Sequence, residues 1–183
     1  MLSPLLLGIA VLVKWDSRQP IFFRQVRVGL RGRKFRIYKF RTMHGDAERT
    51  GPQITIGADS RVTRSGHFLR KYKLDELPQF INVLLGDMSI VGPRPEVPRY
   101  VDLYPDALRE LVFSVRPGIT DLASIEFKDE SALLGRASDP ERTYVDEIMP
   151  KKLQYCVEYV SNYSLISDAV IIWKTIRAVF RKR

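Results

Sequence analysis

The stretch KYKLDELPQFINVLLGD, residues 71–87, sets two carboxylates side by side, Asp75 and Glu76, where a basic run meets an apolar one. Its punctuation predicts a helix. Asp75 suits an N-cap or first-turn position, Pro78 is tolerated only in a first turn, and Gly86 is a stop signal. Phe80, Ile81, Val83, Leu84 and Leu85 supply an apolar face that is expected to be buried. Neighbouring like charges repel, so an ionised pair in an enclosed place needs cations, a helix N-terminus or a metal. At a helix start the macrodipole would lower both pKa values and keep both acids ionised. Two hard oxygens are too few to cage Ca2+ but suit Mg2+, which takes one or two protein carboxylates and completes its shell with water and phosphate. Alone, an Asp-Glu pair opening a helix is more often a cap than a site.

Its surroundings shift that balance. Arg70, Lys71 and Lys73 precede the acids, and MSIVGPRPEVPRY, residues 88–100, follows as an extended segment with Arg94 between two prolines. Proline fixes φ and steers its predecessor away from the helical region, so Arg94 is carried on a stiff rod. Upstream, PIFFRQVRVGLRGRKFRIYKFRTM, residues 20–43, alternates apolar with basic residues about a turn at Gly29–Gly32, which predicts a β-hairpin carrying Lys39 and Arg41. Cations around a carboxylate pair make an environment for binding a diphosphate and stabilising phosphoryl transfer. The absence of a GxxxxGK[ST] loop argues against a P-loop ATPase.

Elsewhere, residues 44–60 read as a polar, glycine-bearing loop and Val62–Tyr72 as a short basic helix. Residues 105–115 read as a helix closed by Arg-Pro-Gly, 119–127 as a strand, and 128–152 as a charged helical or looping segment. The last helix, about 164–181, aligns Leu165, Ala169, Ile172, Trp173, Ile176 and Phe180 on one stripe, suited either to packing on the domain, its commoner fate, or to lying on a membrane surface. Leu5 to Val13 is nearly unbroken hydrocarbon. With about 13 residues from Met1 it falls short of the roughly 20 that cross a bilayer, leaving a core helix or a segment dipping into one leaflet.

The formal charge is +9, and residues 1–74 hold sixteen Lys and Arg against four Asp and Glu, so the basic excess is regional. Such a half-chain attracts phosphates of nucleic acid, anionic lipid or a nucleotide diphosphate. A single cysteine, Cys156, excludes an intrachain disulfide, and two histidines are too few for a His-rich metal centre.

YKFRTM (38–43), LDELPQ (74–79), GDMSIVGPRP (86–95), RPGIT (116–120) and the late Asp168 resemble, in order and spacing, the bacterial sugar transferase domain, the monotopic phosphoglycosyl transferases. The resemblance covers nearly the whole chain. It implies a mixed α/β, helix-rich fold with a small β-hairpin or sheet and amphipathic surface helices. Residues 1–18 would be the remnant of a re-entrant membrane helix whose first half, before Ser3-Pro4, is missing, and residues 19–183 a single catalytic domain. It implies transfer of a phospho-sugar from a UDP-sugar to polyprenyl phosphate with release of UMP, on the cytoplasmic face of the bacterial membrane. Asp75 would be the nucleophile of a covalent intermediate, and Glu76 would help hold Mg2+. Arg94, Arg70 and Lys39 would be the phosphate-binding cations, with Asp168 near the nucleotide or structural. No nucleic-acid partner is implied, and a homodimer is admitted. Two departures stand out: the early Ser3-Pro4, and DLASIEF with a charged insert at 128–150 after RPGIT, which bears on donor choice or neighbour contacts. The rival from another class is a non-enzymatic basic module that grips anionic membrane or nucleic acid by charge.

Overall fold

In the computed structural model, which describes residues 3–45 and 54–180, the apolar N-terminal run forms helix α1 (Ser3–Ser17). Most of the polar loop expected over 44–60 lies outside the described residues. Ile9 and Val13 of α1 pack with Phe40 and Leu69, while Leu5, Leu7, Val11, Leu12 and Trp15 stay exposed. No helix among the described residues is long and apolar enough to cross a membrane.

The alternating segments pair as an antiparallel hairpin of β1 (Phe22–Val28) and β2 (Lys34–Phe40), in register from Phe22 opposite Phe40 to Val28 opposite Lys34. Helix α2 (Arg64–Lys71) follows, capped by Thr63, whose side chain accepts from the Gly66 N–H. A Cβ on Gly66 would lie 2.2 Å from the Thr42 carbonyl oxygen, so glycine is what lets α2 approach the end of the hairpin this closely. Lys73, in the left-handed region at φ 56°, turns the chain into a single 3-10 turn, Leu74–Glu76, that runs on into α3 (Gln79–Leu84).

Here the structure corrects the expected burial. The residues of α3 that point inward are Gln79 and Asn82, whereas Phe80, Ile81, Leu84 and Leu85 are exposed, Leu84 to 88%. The reason is what α3 packs against. The free edge of β2 presents unpaired backbone groups, which must find hydrogen-bond partners when covered. Asn82 supplies both: its Oδ1 accepts from Tyr38 N at 2.9 Å and its Nδ2 donates to Arg36 O at 2.9 Å.

Past α3 the chain forms β3 (Ser89–Val91), α4 (Pro98–Val101), α5 (Asp106–Val112) and β4 (Gly118–Thr120), with β4 parallel to β3. The strand expected over 119–127 stops at Thr120. Asp121 accepts from Ser124 N at 2.7 Å, an N-cap that turns the chain into helix α6 (Leu122–Glu126). Then come α7 (Glu130–Leu134), α8 (Pro140–Thr143), a π-helical turn at Tyr144–Ile148, α9 (Met149–Asn162) and α10 (Leu165–Phe180). The largest core gathers Val97, Tyr100, Val112, Leu134, Tyr144, Ile148, Leu153 and Cys156. Of the apolar stripe of α10, Ile172 packs against the cluster of Val91, Tyr159 and Ile171, and most of the rest does not take the commoner, inward fate. The helix docks through Ile171 and through Thr175, which shares a 2.6 Å hydrogen bond with Thr120, leaving Leu165, Trp173, Ile176 and Phe180 exposed. The architecture is mixed α/β and helix-rich, with two small two-stranded sheets among the described residues.

Candidate active site

Two separate elements converge on Glu76. Lys39, next to last in β2, donates from Nζ to Glu76 Oε1 at 2.8 Å. Arg94, on the Pro-Arg-Pro rod after β3, donates from Nη1 to Glu76 Oε2 at 3.2 Å and from Nη2 to Oε1 in a short contact. The rod is itself fixed: Gly118 N donates to Pro93 O at 3.0 Å, and Arg94 N donates to Asp121 Oδ2 at 3.3 Å. Because Asn82 ties α3 to β2, the turn carrying Glu76 and the strand carrying Lys39 keep a fixed spacing. Glu76 is 7% exposed and Lys39 is largely buried, whereas Arg94 keeps 31% of its side chain in contact with solvent. Arg94 is thus the most solvent-exposed member of the cluster.

Asp75, also 7% exposed, is differently placed. Its Oδ1 is buried with no hydrogen-bond partner. Arg70 and Lys73 lie near enough to act on it electrostatically, but the Arg70 guanidinium is held by two threonines, from Nε to Thr42 Oγ1 at 2.8 Å and from Nη1 to Thr55 Oγ1 at 3.0 Å. Gln79, fully buried a turn further along the same helical run, also has both amide atoms unpartnered. Buried polar atoms without partners are rare and mark places where a ligand, water or ion completes the bonding.

The expectation that both acids share a low pKa is corrected for Asp75. Burial pushes Asp75 above its ordinary value and the adjacent Glu76 charge pushes it further, outweighing Lys39, Lys73 and Arg70. Burial also acts to raise Glu76, but the charges of Arg94, Lys39 and Lys73 and the Arg94 hydrogen bond hold it well below its ordinary value. Two neighbouring carboxyls are thus driven apart, one firmly ionised and one destabilised as an anion. A three-residue 3-10 turn offers little macrodipole, so the split is set by cations and burial. Burial brings Lys39 down to about 8, with Arg94 adding to the effect and Glu76 opposing it.

Of the remaining residues singled out in the sequence, Lys71 lies over the Tyr72 ring and Arg41 donates to Pro20 O, so neither joins the cluster. Asp168 accepts from Tyr159 Oη at 3.0 Å and borders a separate cleft with Arg116, Met88 and Leu165. Sequence reading missed Asn82 and Gln79, although two polar residues three apart in an apolar helix were a visible signal. It also missed Arg27, Glu96 and Tyr144, which lie behind the Arg94 rod and left no local pattern.

Asp75 Oδ1, unpartnered, and Glu76 Oε2, which accepts from Arg94 alone, are two hard oxygens on adjacent residues, the number Mg2+ commonly draws from protein. No cluster of three metal-ligating side chains forms among the described residues. A divalent ion here would rely on water and substrate oxygens for the rest of its shell, and the residues fit that use.

A family model described as bacterial sugar transferase matches residues 1–182. The chain is 43% identical to a UDP-N-acetylgalactosamine-undecaprenyl-phosphate N-acetylgalactosaminephosphotransferase of Aeromonas hydrophila, over 97% of this chain and 39% of that protein. It is 42% identical to a UDP-glucose:undecaprenyl-phosphate glucose-1-phosphate transferase of Xanthomonas campestris, over 99% of this chain and 36% of that protein. With the exopolysaccharide production protein ExoY of Sinorhizobium fredii it shares 36% identity, over 100% of this chain and 80% of that protein. It thus spans well under half the length of the first two relatives. The matched region includes every residue of the Asp75–Glu76 cluster, and the chain belongs to the bacterial sugar transferase family.

Proposed function

We propose that this chain transfers a sugar phosphate from a UDP-sugar to undecaprenyl phosphate, the first step of glycan assembly, in two displacements at Asp75. In the first, an Asp75 carboxylate oxygen attacks the β-phosphorus of the donor. The bond from that phosphorus to the α–β bridging oxygen breaks, UMP departs with that oxygen, and the sugar phosphate is left on Asp75 as an acyl phosphate. In the second, a phosphate oxygen of the acceptor attacks the same phosphorus, frees the Asp75 carboxylate and yields undecaprenyl-diphospho-sugar. Splitting the transfer lets a soluble donor leave before a lipid acceptor arrives.

The single observation behind this reading is the buried, unpartnered Asp75 Oδ1 beside a Glu76 whose Oε1 accepts from Lys39 and Arg94 and whose Oε2 accepts from Arg94 alone. A carboxylate with a raised pKa and a free lone pair is a better nucleophile than one held in ion pairs. Glu76 holds Arg94 and Lys39 facing the diphosphate, where their charges offset what builds on the equatorial oxygens. Mg2+, held by Asp75 and Glu76, would supply further charge neutralisation on the diphosphate.

The faces that α1, α3 and α10 leave uncovered support association with a membrane surface. Trp15, Leu84, Leu85, Leu165, Trp173 and Phe180 are exposed, and Arg177 lies over the Trp173 ring at 5.3 Å, a pairing suited to the headgroup region. Because the turn carrying the carboxylate pair runs directly into α3, lipid contact along the outer side of α3 would bring the acceptor phosphate near Asp75. UMP release is the direct assay, with UDP-N-acetylgalactosamine and UDP-glucose as donors and undecaprenyl phosphate in detergent or nanodiscs. Release that depends on the acceptor supports the reading, and no release with any UDP-sugar tried would reject it.

A further inference from the structure

The segment 128–150, the charged insert after the RPGIT strand, has no side chain in the Asp75–Glu76 cluster, yet it reaches the rod that carries Arg94. Tyr144, buried in the π-helical turn, donates from Oη to Glu96 Oε2 at 2.5 Å. Glu96 Oε1 accepts from Arg27 Nη1 at 3.2 Å and from Val97 N at 2.8 Å, and the Glu96 carbonyl accepts from Val28 N at 3.0 Å. The same Arg27 Nη1 also donates to Pro95 O at 3.0 Å, the residue next to Arg94. The chain is thus gripped two residues beyond Arg94 by a hairpin arginine on one side and a tyrosine from the insert on the other. Between the grips lie a proline with fixed φ and no N–H, so little internal freedom separates the anchored Glu96 from the guanidinium. A π-turn widens the helix by one residue and re-aims a side chain, which is how such turns serve functional sites.

We propose that Glu96 and Tyr144 are positioning residues for Arg94, and that the role of the 128–150 segment is to lock the Pro-Arg-Pro rod against β1 so that the guanidinium faces the donor diphosphate. This rests on the reading above that Arg94 contacts the diphosphate. Neither residue touches substrate. Their effect passes through Arg94, which gives it a signature that a purely structural role lacks.

The test is a double-mutant cycle on the full chain, measuring KM and kcat for the UDP-sugar together with a thermal melt. Tyr144→Phe is expected to raise the donor KM about tenfold while the acceptor KM holds, since a misplacement of about 1 Å can cost up to about 100-fold. In an Arg94→Lys background, Tyr144→Phe should change the donor KM by less than about twofold. Glu96→Gln should behave in the same way, and it carries the test if Tyr144→Phe does not fold. Equal effects in both backgrounds, or an unchanged donor KM in folded single variants, would overturn the proposal. If Arg94→Lys alone leaves the donor KM at the wild-type value, the reading of Arg94 fails, and the positioning role falls with it.

Discussion

Arg94 grips Glu76 through both terminal nitrogens of its guanidinium, and the two residues come from segments eighteen positions apart that meet only because β3 returns the chain beside the turn opening α3. Lys39 closes the same carboxylate from the hairpin side. Removing the acid therefore strands two cations. Glu76→Gln is expected to cost about 2–4 kcal/mol, somewhat below a fully enclosed pair because Arg94 is partly solvated. The pH dependence has a definite sign. Folding depresses the Glu76 pKa from its ordinary 4.5, so its stabilisation is present above about pH 4.5 and is lost as pH falls toward the depressed value. Urea titrations of wild type and variant at several pH values should converge in acid.

Asp75 should behave in the opposite way. Its anion is disfavoured by burial and by Glu76, so at neutral pH it weakens the fold. Asp75→Asn is expected to stabilise the protein by about 1 kcal/mol while abolishing transfer, the trade-off of a strained functional group. The gain should be full above the raised pKa and vanish as pH drops through it toward the ordinary 3.8. Calorimetric melts of the pair across that range would show it.

Lys39 sets an alkaline limit. With its pKa brought down to about 8, the free enzyme loses that ammonium just above neutrality, and kcat/KM for the UDP-sugar should fall with an apparent pKa near that value. Lys39→Arg should keep measurable activity and move the limb to higher pH, since a guanidinium stays charged. A pH–rate profile of both proteins decides it.

Asn82 is expected to matter for stability more than its polar character in an apolar helix implies. Asn82→Leu leaves Tyr38 N and Arg36 O unpaired on a covered strand edge and should cost about 2–3 kcal/mol. The drop should appear in chemical denaturation, accompanied by loss of the Lys39 alkaline limb as the strand loosens from α3.

At Leu84, 88% exposed, a charge should be harmless to the fold and harmful to lipid binding. Leu84→Glu is expected to leave the melting temperature within about 1 °C while reducing sedimentation with anionic vesicles about tenfold, as lost burial of one leucine predicts.

The hairpin, the basic α2 and the stiff Arg94 rod were legible in the sequence because each rests on a local rule: alternation, helical spacing, or proline's fixed φ. The inward side of α3 was not. Its pattern calls for buried leucines, and only the pairing needs of the β2 edge, forty-four and forty-six residues upstream of Asn82, reveal why Asn82 faces in. The turn from strand to helix at Asp121 was masked by Ile119 and Thr120, which favour strands and gave no hint of the cap that follows. The carboxylate pair itself was visible, but the opposed pKa shifts were not, because they depend on which of two adjacent acids the distant cations reach.

The most direct measurement is covalent labelling with a UDP-sugar carrying radioactive phosphorus in its β-phosphate, with Mg2+ and without acceptor. Two displacements at Asp75 predict that the wild-type chain acquires label, that added undecaprenyl phosphate discharges it, that hydroxylamine removes it as expected for an acyl phosphate, and that Asp75→Asn takes up none. Label retained by Asp75→Asn, or turnover by the wild type with no labelled protein at any time, would contradict it.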